Sequence, residues 1–369
     1  MVWGVTLRNN KAEFCLTVYE VVDMEIMITI QPWKDSKSAL EIVKGLSTLQ
    51  IRKARVNLKT LYRPEHLQEL FNFLCNIREI DDNIEWYFDI GLPGDTLRLM
   101  IPKPPYYISV VAGNKLKIFF DNCNNFEEEN DIYIRKTCNP VLFGDLLFAG
   151  DTFLYGDGEI EFRVINISER FVEVMALNQG DIWDGKAIYT RNNVITQYDS
   201  LSYLLQYIDS ISGKNRNALI CSLTENPKDI IEIKSKSSMK IISKIETISG
   251  IEQIENLAKV SDGIMLGRGD LFMHSGNCLQ YFYLQQRFLD YISDNLSLNS
   301  IVATDILDSM NTNIVPSRSD ITDVFYLLKY HPRVVFLSST LFYSQNLSTC
   351  ISVLNEISTY YEKSKRPTM

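Results

Sequence analysis

Along most of this chain, short apolar β-rich runs alternate with longer stretches whose apolar residues recur at helical spacing, and that alternation is the pattern of parallel βα units. Strands are expected at residues 24–31, 53–58, 84–91, 218–223, 240–246, 263–267, 300–306 and 334–338. That many strands closes a TIM (β/α)8 barrel of the α/β class. Helical patterns fall at 38–49, 65–77, 227–236, 248–260, 279–295, 317–329 and 347–361. Ser317, Ser319 and Asp320 stand where an N-cap and a first-turn acid belong, ahead of Ile321, Val324, Leu327 and Leu328.

Between the third and fourth strands the period changes. From about residue 99 to 190 short strands, turn residues and aromatics dominate and no helix is legible, which predicts an inserted β-rich domain between the third strand and the third helix. Within it, Leu154-Tyr155-Gly156-Asp157-Gly158-Glu159-Ile160-Glu161-Phe162 reads as a hairpin whose glycines supply positive φ. The chain then divides into an N-terminal extension (1–22), a first barrel part (23–98), the insertion (99–190) and a second barrel part (191–369). The extension could form a small hairpin or plug the barrel.

Composition narrows the function. With 37 Lys plus Arg against 46 Asp plus Glu, the net charge of −9 offers no basic field for a polyphosphate backbone, so a nucleic-acid partner is disfavoured. The seven cysteines are scattered and include no C-x-x-C pair, which signals neither a disulfide framework nor a thiolate zinc site and suits a reducing cytoplasm. Three histidines, none four residues from another, exclude H-E-x-x-H zinc chemistry. The first residues lack a basic stretch followed by an apolar one, and no uncharged apolar run reaches the ~18 residues of a membrane span, so a soluble chain with no membrane partner is expected.

In a βα barrel, ligands bind at the carboxyl ends of the strands. Arg55, Asn57 and Lys59 alternate with Val56 and Leu58, so a period of two sends all three to one side. Lys244 and Glu246 share a side of the fifth strand; Asp89 ends the third, Ser222 the fourth, and Thr304 with Asp305 the seventh. After the sixth comes Gly267-Arg268-Gly269-Asp270, whose glycines let the backbone approach a ligand closely. Glu246 and Asp270 would be hard oxygen ligands for Mg²⁺ or Mn²⁺ holding a small anionic substrate. Lys244 and Arg55 would neutralise a transferring phosphoryl group or a developing enolate. Each element also has an ordinary reading, as a structural ion pair, an N-capped turn or a β-branched strand residue. Their joint placement at one rim favours a site.

The segment Lys240-Ile241-Ile242-Ser243-Lys244-Ile245-Glu246 begins a collinear set of motifs. Ser261-Asp262-Gly263-Ile264-Met265-Leu266-Gly267-Arg268-Gly269-Asp270-Leu271 resembles S-D-G-I-M-V-A-R-G-D-L of the pyruvate kinase family, and Ile301 to Met310 resembles its V-A-T-Q-M-L-E-S-M. Pro316-Ser317-Arg318 is similar to P-T-R, Ala54 to Leu58 to A-R-L-N-F, and Thr29 to Pro32 to T-I-G-P. The insertion falls where that family carries a mobile lid. The resemblance implies that Lys244 stabilises the phosphoryl group and enolate, Glu246 and Asp270 hold the divalent metal, and Arg55 contacts the phosphoryl group. It further implies that Thr304 belongs to the relay protonating the enolate carbon and that the Gly269-Asp270 backbone receives the substrate carboxylate. Ser222 joins the substrate-binding candidates at that rim. Asn57 and Asp89 would lie at a monovalent-cation site, Arg98 matches an arginine after the third strand at a longer spacing, and Asp157 matches an aspartate of the lid.

The departures are informative. Lys59 stands where the family has a serine ligand of potassium, and Ile90 replaces a threonine, so the Lys59 ammonium is expected to stand in for K⁺ beside Asp89. On the nucleotide side, N-F-S-H-G becomes Asn57-Leu58-Lys59-Thr60-Leu61, M-L-S-G-E-T-A becomes Phe336 to Leu341, and K-K-G-V-N-L-P-G is barely traceable in Gly185 to Thr190. The family's carboxy-terminal domain is expected to be missing, although barrel contacts could still make a homodimer. The first reading is a divergent pyruvate kinase-like phosphotransferase acting on phosphoenolpyruvate, pyruvate or a related acid with ADP or ATP. The second is a nucleotide-independent enolpyruvate- or pyruvate-type lyase or transferase of a specialised biosynthetic pathway. The third is a non-catalytic binding relative.

Overall fold

In the computed structural model the strands Glu25–Ile30, Lys53–Asn57, Glu85–Ile90, Ala218–Cys221, Lys240–Ile245, Gly263–Gly267, Ser300–Ala303 and Val334–Leu337 pair in parallel in that order. The eighth closes onto the first with Val334 opposite Glu25. The structure describes residues 2–8, 11–17, 24–31, 36–46, 48–60, 64–77, 84–91, 94–120, 132–134, 140–145, 147–190, 196–197 and 217–364. The third helix expected after the insertion lies outside them.

A period of two divides each strand. One set, including Met27, Tyr87, Ile220, Ile242, Met265, Ile301 and Phe336, fills the barrel interior. The other, including Ile28, Val56, Leu219, Ile241 and Leu266, packs beneath the helices with Phe288, Leu289 and Leu354. The helix Arg318–Leu328 starts as expected: Ser317 accepts from Asp320 N at 3.1 Å and the Asp320 carboxylate accepts from Ser317 N at 3.1 Å. The single helix expected over 248–260 is instead two, Ile248–Glu252 and Ile254–Val260, broken where Gln253 leaves helical geometry at ψ 8°.

Polar residues enter the barrel at both ends. At the amino-terminal mouth Lys53 is paired with Glu85 and lies 3.4 Å from Glu25, while Glu85 also accepts from Tyr87 Oη at 3.0 Å and Lys240 Nζ at 3.3 Å. That network is mutually satisfied and reads as structural. The opposite mouth differs.

The N-terminal residues form a hairpin, one of the two alternatives open for them: Val2–Arg8 and Lys11–Thr17 pair antiparallel from Val2↔Thr17 to Arg8↔Lys11. The insertion after the third strand builds a seven-stranded sheet with its own core of Leu99, Ile118, Phe153, Tyr155, Phe162 and Val174. Its hairpin is in the anticipated place, with Tyr155 opposite Ile160 and with Gly156 and Gly158 at φ 62° and 87°. One expectation fails here. A helix, Pro140–Asp145, carries Phe143 into that core, and six residues are too few to display a helical period. Among the described residues no helix is long and apolar enough to cross a membrane.

Candidate active site

Asp89, the inward-facing residue near the end of the third strand, is wholly buried. It accepts from Arg55 Nε at 2.8 Å and from Arg55 Nη2, its other oxygen accepts from Ser222 Oγ at 2.9 Å, and Lys244 Nζ lies 3.8 Å away. Burial alone would raise the Asp89 acid, but Arg55, Lys244 and Lys59 overcome it and hold the carboxyl well below the usual range. Arg55 is fixed further by Thr29 Oγ1 at 3.3 Å and by the Phe336 ring, whose centroid is 4.9 Å from the guanidinium carbon.

A single residue, Ile245, separates Lys244 from Glu246, so both project to one side of the fifth strand. Lys244 Nζ lies 2.5 Å from Glu246 Oε1. The contact is charge against charge without hydrogen-bond alignment, so Oε1 is buried with no hydrogen-bond donor among the described residues. Its other oxygen accepts from Leu223 N at 3.0 Å. Burial, opposed by Lys244 and reinforced by the Asp270 charge, pushes the Glu246 acid up to about 7. Asp270 goes the other way: Lys59, Lys244, Glu246 and Tyr189 outweigh its burial and hold it well below the ordinary range. Two carboxyls in this relation, Glu246 wholly buried and Asp270 half-buried, repel one another, and a cation between them would relieve that repulsion.

That donor set suits a hard divalent ion. A side chain on Gly267 would close the space, since its Cβ would meet Glu246 Oε1 at 2.6 Å and Lys244 Cε at 2.9 Å. Mg²⁺ asks for only one or two protein carboxylates and takes its other oxygens from water and substrate, which Glu246 and Asp270 match.

Asp270 reaches this point because the sixth strand turns directly into the helix Arg268–Ser275, placing Gly269 and Asp270 in its first turn. Beside it the seventh strand stops at Ala303, three residues before its expected end, because Thr304, Asp305 and Leu307 have φ of 80°, 56° and 52°. Arg268 holds this unfavourable backbone in place. Its guanidinium donates to Ala303 O at 3.2 Å, to Thr304 O at 3.0 Å, and to both Asp323 oxygens at 2.7 and 2.8 Å. Thr304 is thereby set against the helix start, where a Cβ on Gly269 would be 3.1 Å from Thr304 Cγ2 and 3.6 Å from Asp157 Oδ1.

Lys59 arrives differently from the expectation. The second strand ends at Asn57, and a 3-10 turn, Leu58–Thr60, carries Lys59 inward; its backbone N–H donates to Asn57 Oδ1 at 3.2 Å. Only 4% exposed, its ammonium acts on Asp89, Glu246 and Asp270, and on Asp270 it is the foremost charge. The insertion adds Tyr189, whose Oη donates to Asp270 Oδ1 at 2.5 Å. Arg98 instead donates to Gly185 O within the insertion at 2.9 Å.

Arg55, Lys59, Asp89, Ser222, Lys244, Glu246 and Asp270 thus form one cluster of charged and polar side chains, all buried except the half-buried Asp270, with Gly269 and Thr304 adjoining and Asn57 at its edge. The Ser222 hydroxyl serves Asp89. Sequence reasoning assigned no role to Arg268 or Tyr189; the signal for Arg268 was its place between two glycines, and Tyr189 had none.

Residues 22–339 match the family model for the pyruvate kinase barrel domain. The chain is 28% identical over 223 residues to a pyruvate kinase of Methanocaldococcus jannaschii, covering 58% of this chain and 48% of that one. It is 26% identical over 361 residues to a pyruvate kinase of Thermoplasma acidophilum, covering 92% and 58%. This chain spans about half the length of the curated relatives it matches. The crystal structure of Cryptosporidium parvum pyruvate kinase superposes with a TM-score of 0.75 over 92% of this chain and 70% of that one at 22% identity, a likeness of fold.

Proposed function

The chain belongs to the pyruvate kinase family, and from that premise we propose that its barrel mouth performs metal-assisted phosphoryl transfer between phosphoenolpyruvate, or a closely related enol acid, and ADP. The observation that carries this reading is the convergence of Lys244, Glu246 and Asp270, with Glu246 Oε1 buried and undonated beside a second carboxyl.

Glu246 and Asp270 would hold Mg²⁺ or Mn²⁺, which supplies Lewis-acid charge to substrate oxygens when bound. The N–H groups of the first turn at Gly269 and Asp270 would receive the substrate carboxylate. The Lys244 ammonium is positioned to neutralise charge growing on the enolate oxygen as the phosphoryl group leaves, and Arg55, anchored by Asp89, adds positive charge on the same side. Thr304, pressed against Gly269, would pass a proton to the enolate carbon. Little covalent chemistry falls to the protein, so positioning and charge carry most of the barrier reduction.

A thermal-shift series tests the reading, because a ligand that binds only the folded state stabilises it by about 2.7 kcal/mol at a hundred times its Kd. Mn²⁺ with oxalate, an enolate mimic, should raise the midpoint, and ADP should raise it further. A response to Mn²⁺ and oxalate without ADP would point to nucleotide-independent enolpyruvate chemistry. No response to any of them would point to a binding relative.

We further propose that Lys59 replaces the monovalent cation, since its buried ammonium already acts on Asp89, Glu246 and Asp270. Turnover is expected to be the same in K⁺ and in tetramethylammonium buffers. Strong activation by K⁺ would defeat the substitution.

A further inference from the structure

Among the described residues, the insertion hydrogen-bonds the carboxylate pair through Tyr189. Tyr189 lies on the short strand Ile188–Tyr189, where it pairs with Leu154, and its ring stands edge-on to His274 with centroids 5.8 Å apart. His274 is one helical turn beyond Asp270 on the helix Arg268–Ser275. The ring is 6% exposed, and its hydroxyl, instead of turning to water, donates to Asp270 Oδ1 across 81 residues of sequence. A buried tyrosine hydroxyl takes a hydrogen-bond partner, and which one it takes depends on what packs against it. Here that partner is a half-buried carboxylate of the barrel.

We infer that Tyr189 is a positioning residue for Asp270, fixing the rotation of that carboxylate toward Glu246 and thereby linking the placement of the insertion to divalent-cation affinity. The inference rests on the reading of Glu246 and Asp270 as the metal pair. A carboxylate has a soft terminal torsion. A donor held by its own strand and by His274 removes that freedom, leaving the remaining lone pairs of Asp270 to face Glu246. Partners of this kind around a metal ligand typically affect metal affinity or activity by about 10–100-fold. A second contact of the same insertion, Asp157 near Gly269, lies over the start of the same helix, so the tyrosine is held where the two bodies meet.

The experiment is direct Mn²⁺ binding, by calorimetry and by electron paramagnetic resonance, to the full chain and to Tyr189→Phe and Asp270→Asn. Phenylalanine keeps the ring against His274 and removes only the donor, so folding is preserved, as the cation-free thermal midpoint would report. Tyr189→Phe is expected to bind Mn²⁺ about tenfold more weakly, with the larger kinetic change in half-saturating Mn²⁺ rather than in kcat. Unchanged Mn²⁺ affinity in Tyr189→Phe, while Asp270→Asn loses binding, would overturn the inference and leave the metal pair standing. Undiminished binding in Asp270→Asn would remove both.

Discussion

Replacing Lys244 with methionine is expected to lower phosphoryl-transfer turnover by about 10²–10³-fold, the loss seen when one preorganised charge-stabilising donor is removed from an active site, without weakening Mn²⁺ binding. The two halves of this expectation have different origins. Turnover falls because an ammonium 3.8 Å from Asp89 and 2.5 Å from Glu246 is the cation best placed to meet charge that develops only in the transition state. Mn²⁺ affinity holds, or rises, because the same ammonium competes with a metal ion for Glu246 Oε1, and methionine preserves most of the length of the chain while giving up the charge. Steady-state kinetics with phosphoenolpyruvate and ADP, read beside Mn²⁺ titration, separates the two. Wild-type turnover in Lys244→Met would remove the phosphotransfer reading, and loss of Mn²⁺ binding together with turnover would mean that the lysine holds the carboxylates in place.

The barrel is legible in the sequence because the period of two is strong in strands that are buried on both faces, and because most of the polar residues that interrupt that period stand near strand ends. Lys244 and Glu246 follow directly from it. Lys59 shows its limit. Its alternation with Leu58 points inward, yet the strand has already ended at Asn57 and a 3-10 turn makes the delivery. Thr304 shows a second limit: as a β-branched residue in an apolar run it reads as strand, whereas its left-handed backbone depends on Arg268 and, through it, on Asp323, 55 residues further along. Tyr189 shows the third, since its hydrogen bond to Asp270 crosses between two bodies with separate cores. Local pattern fixes which face a residue occupies. It carries no information on contacts that exist only after the insertion has docked.

Substituting Asp89 with asparagine is expected to cost about 3–5 kcal/mol of stability at neutral pH, the range for breaking a buried ion pair by removing one partner. Three cations, Arg55, Lys244 and Lys59, converge on this one wholly buried carboxylate. Asparagine keeps the shape and an acceptor for Ser222 but leaves Arg55 without a counter-ion at hydrogen-bond distance. The sign of the pH dependence follows from the depressed acid constant. The stability contributed by the Asp89 charge is fully present above the ordinary aspartate value of 3.8 and is lost as pH falls through the lower value of the folded state. The gap between wild type and Asp89→Asn should therefore stay constant near neutrality and narrow only in acid. Denaturant unfolding at pH 7 measures it, and a difference under about 1 kcal/mol, the worth of an exposed pair, would contradict the buried geometry. A double variant, Asp89→Asn with Arg55→Met, tests the cause. Removing the best-aligned of the stranded cations should recover part of the loss, because a buried pair deleted together costs less than either partner deleted alone. If the double variant is instead less stable than Asp89→Asn by the full cost of losing Arg55, the guanidinium is held by Thr29 and Phe336 rather than by the carboxylate.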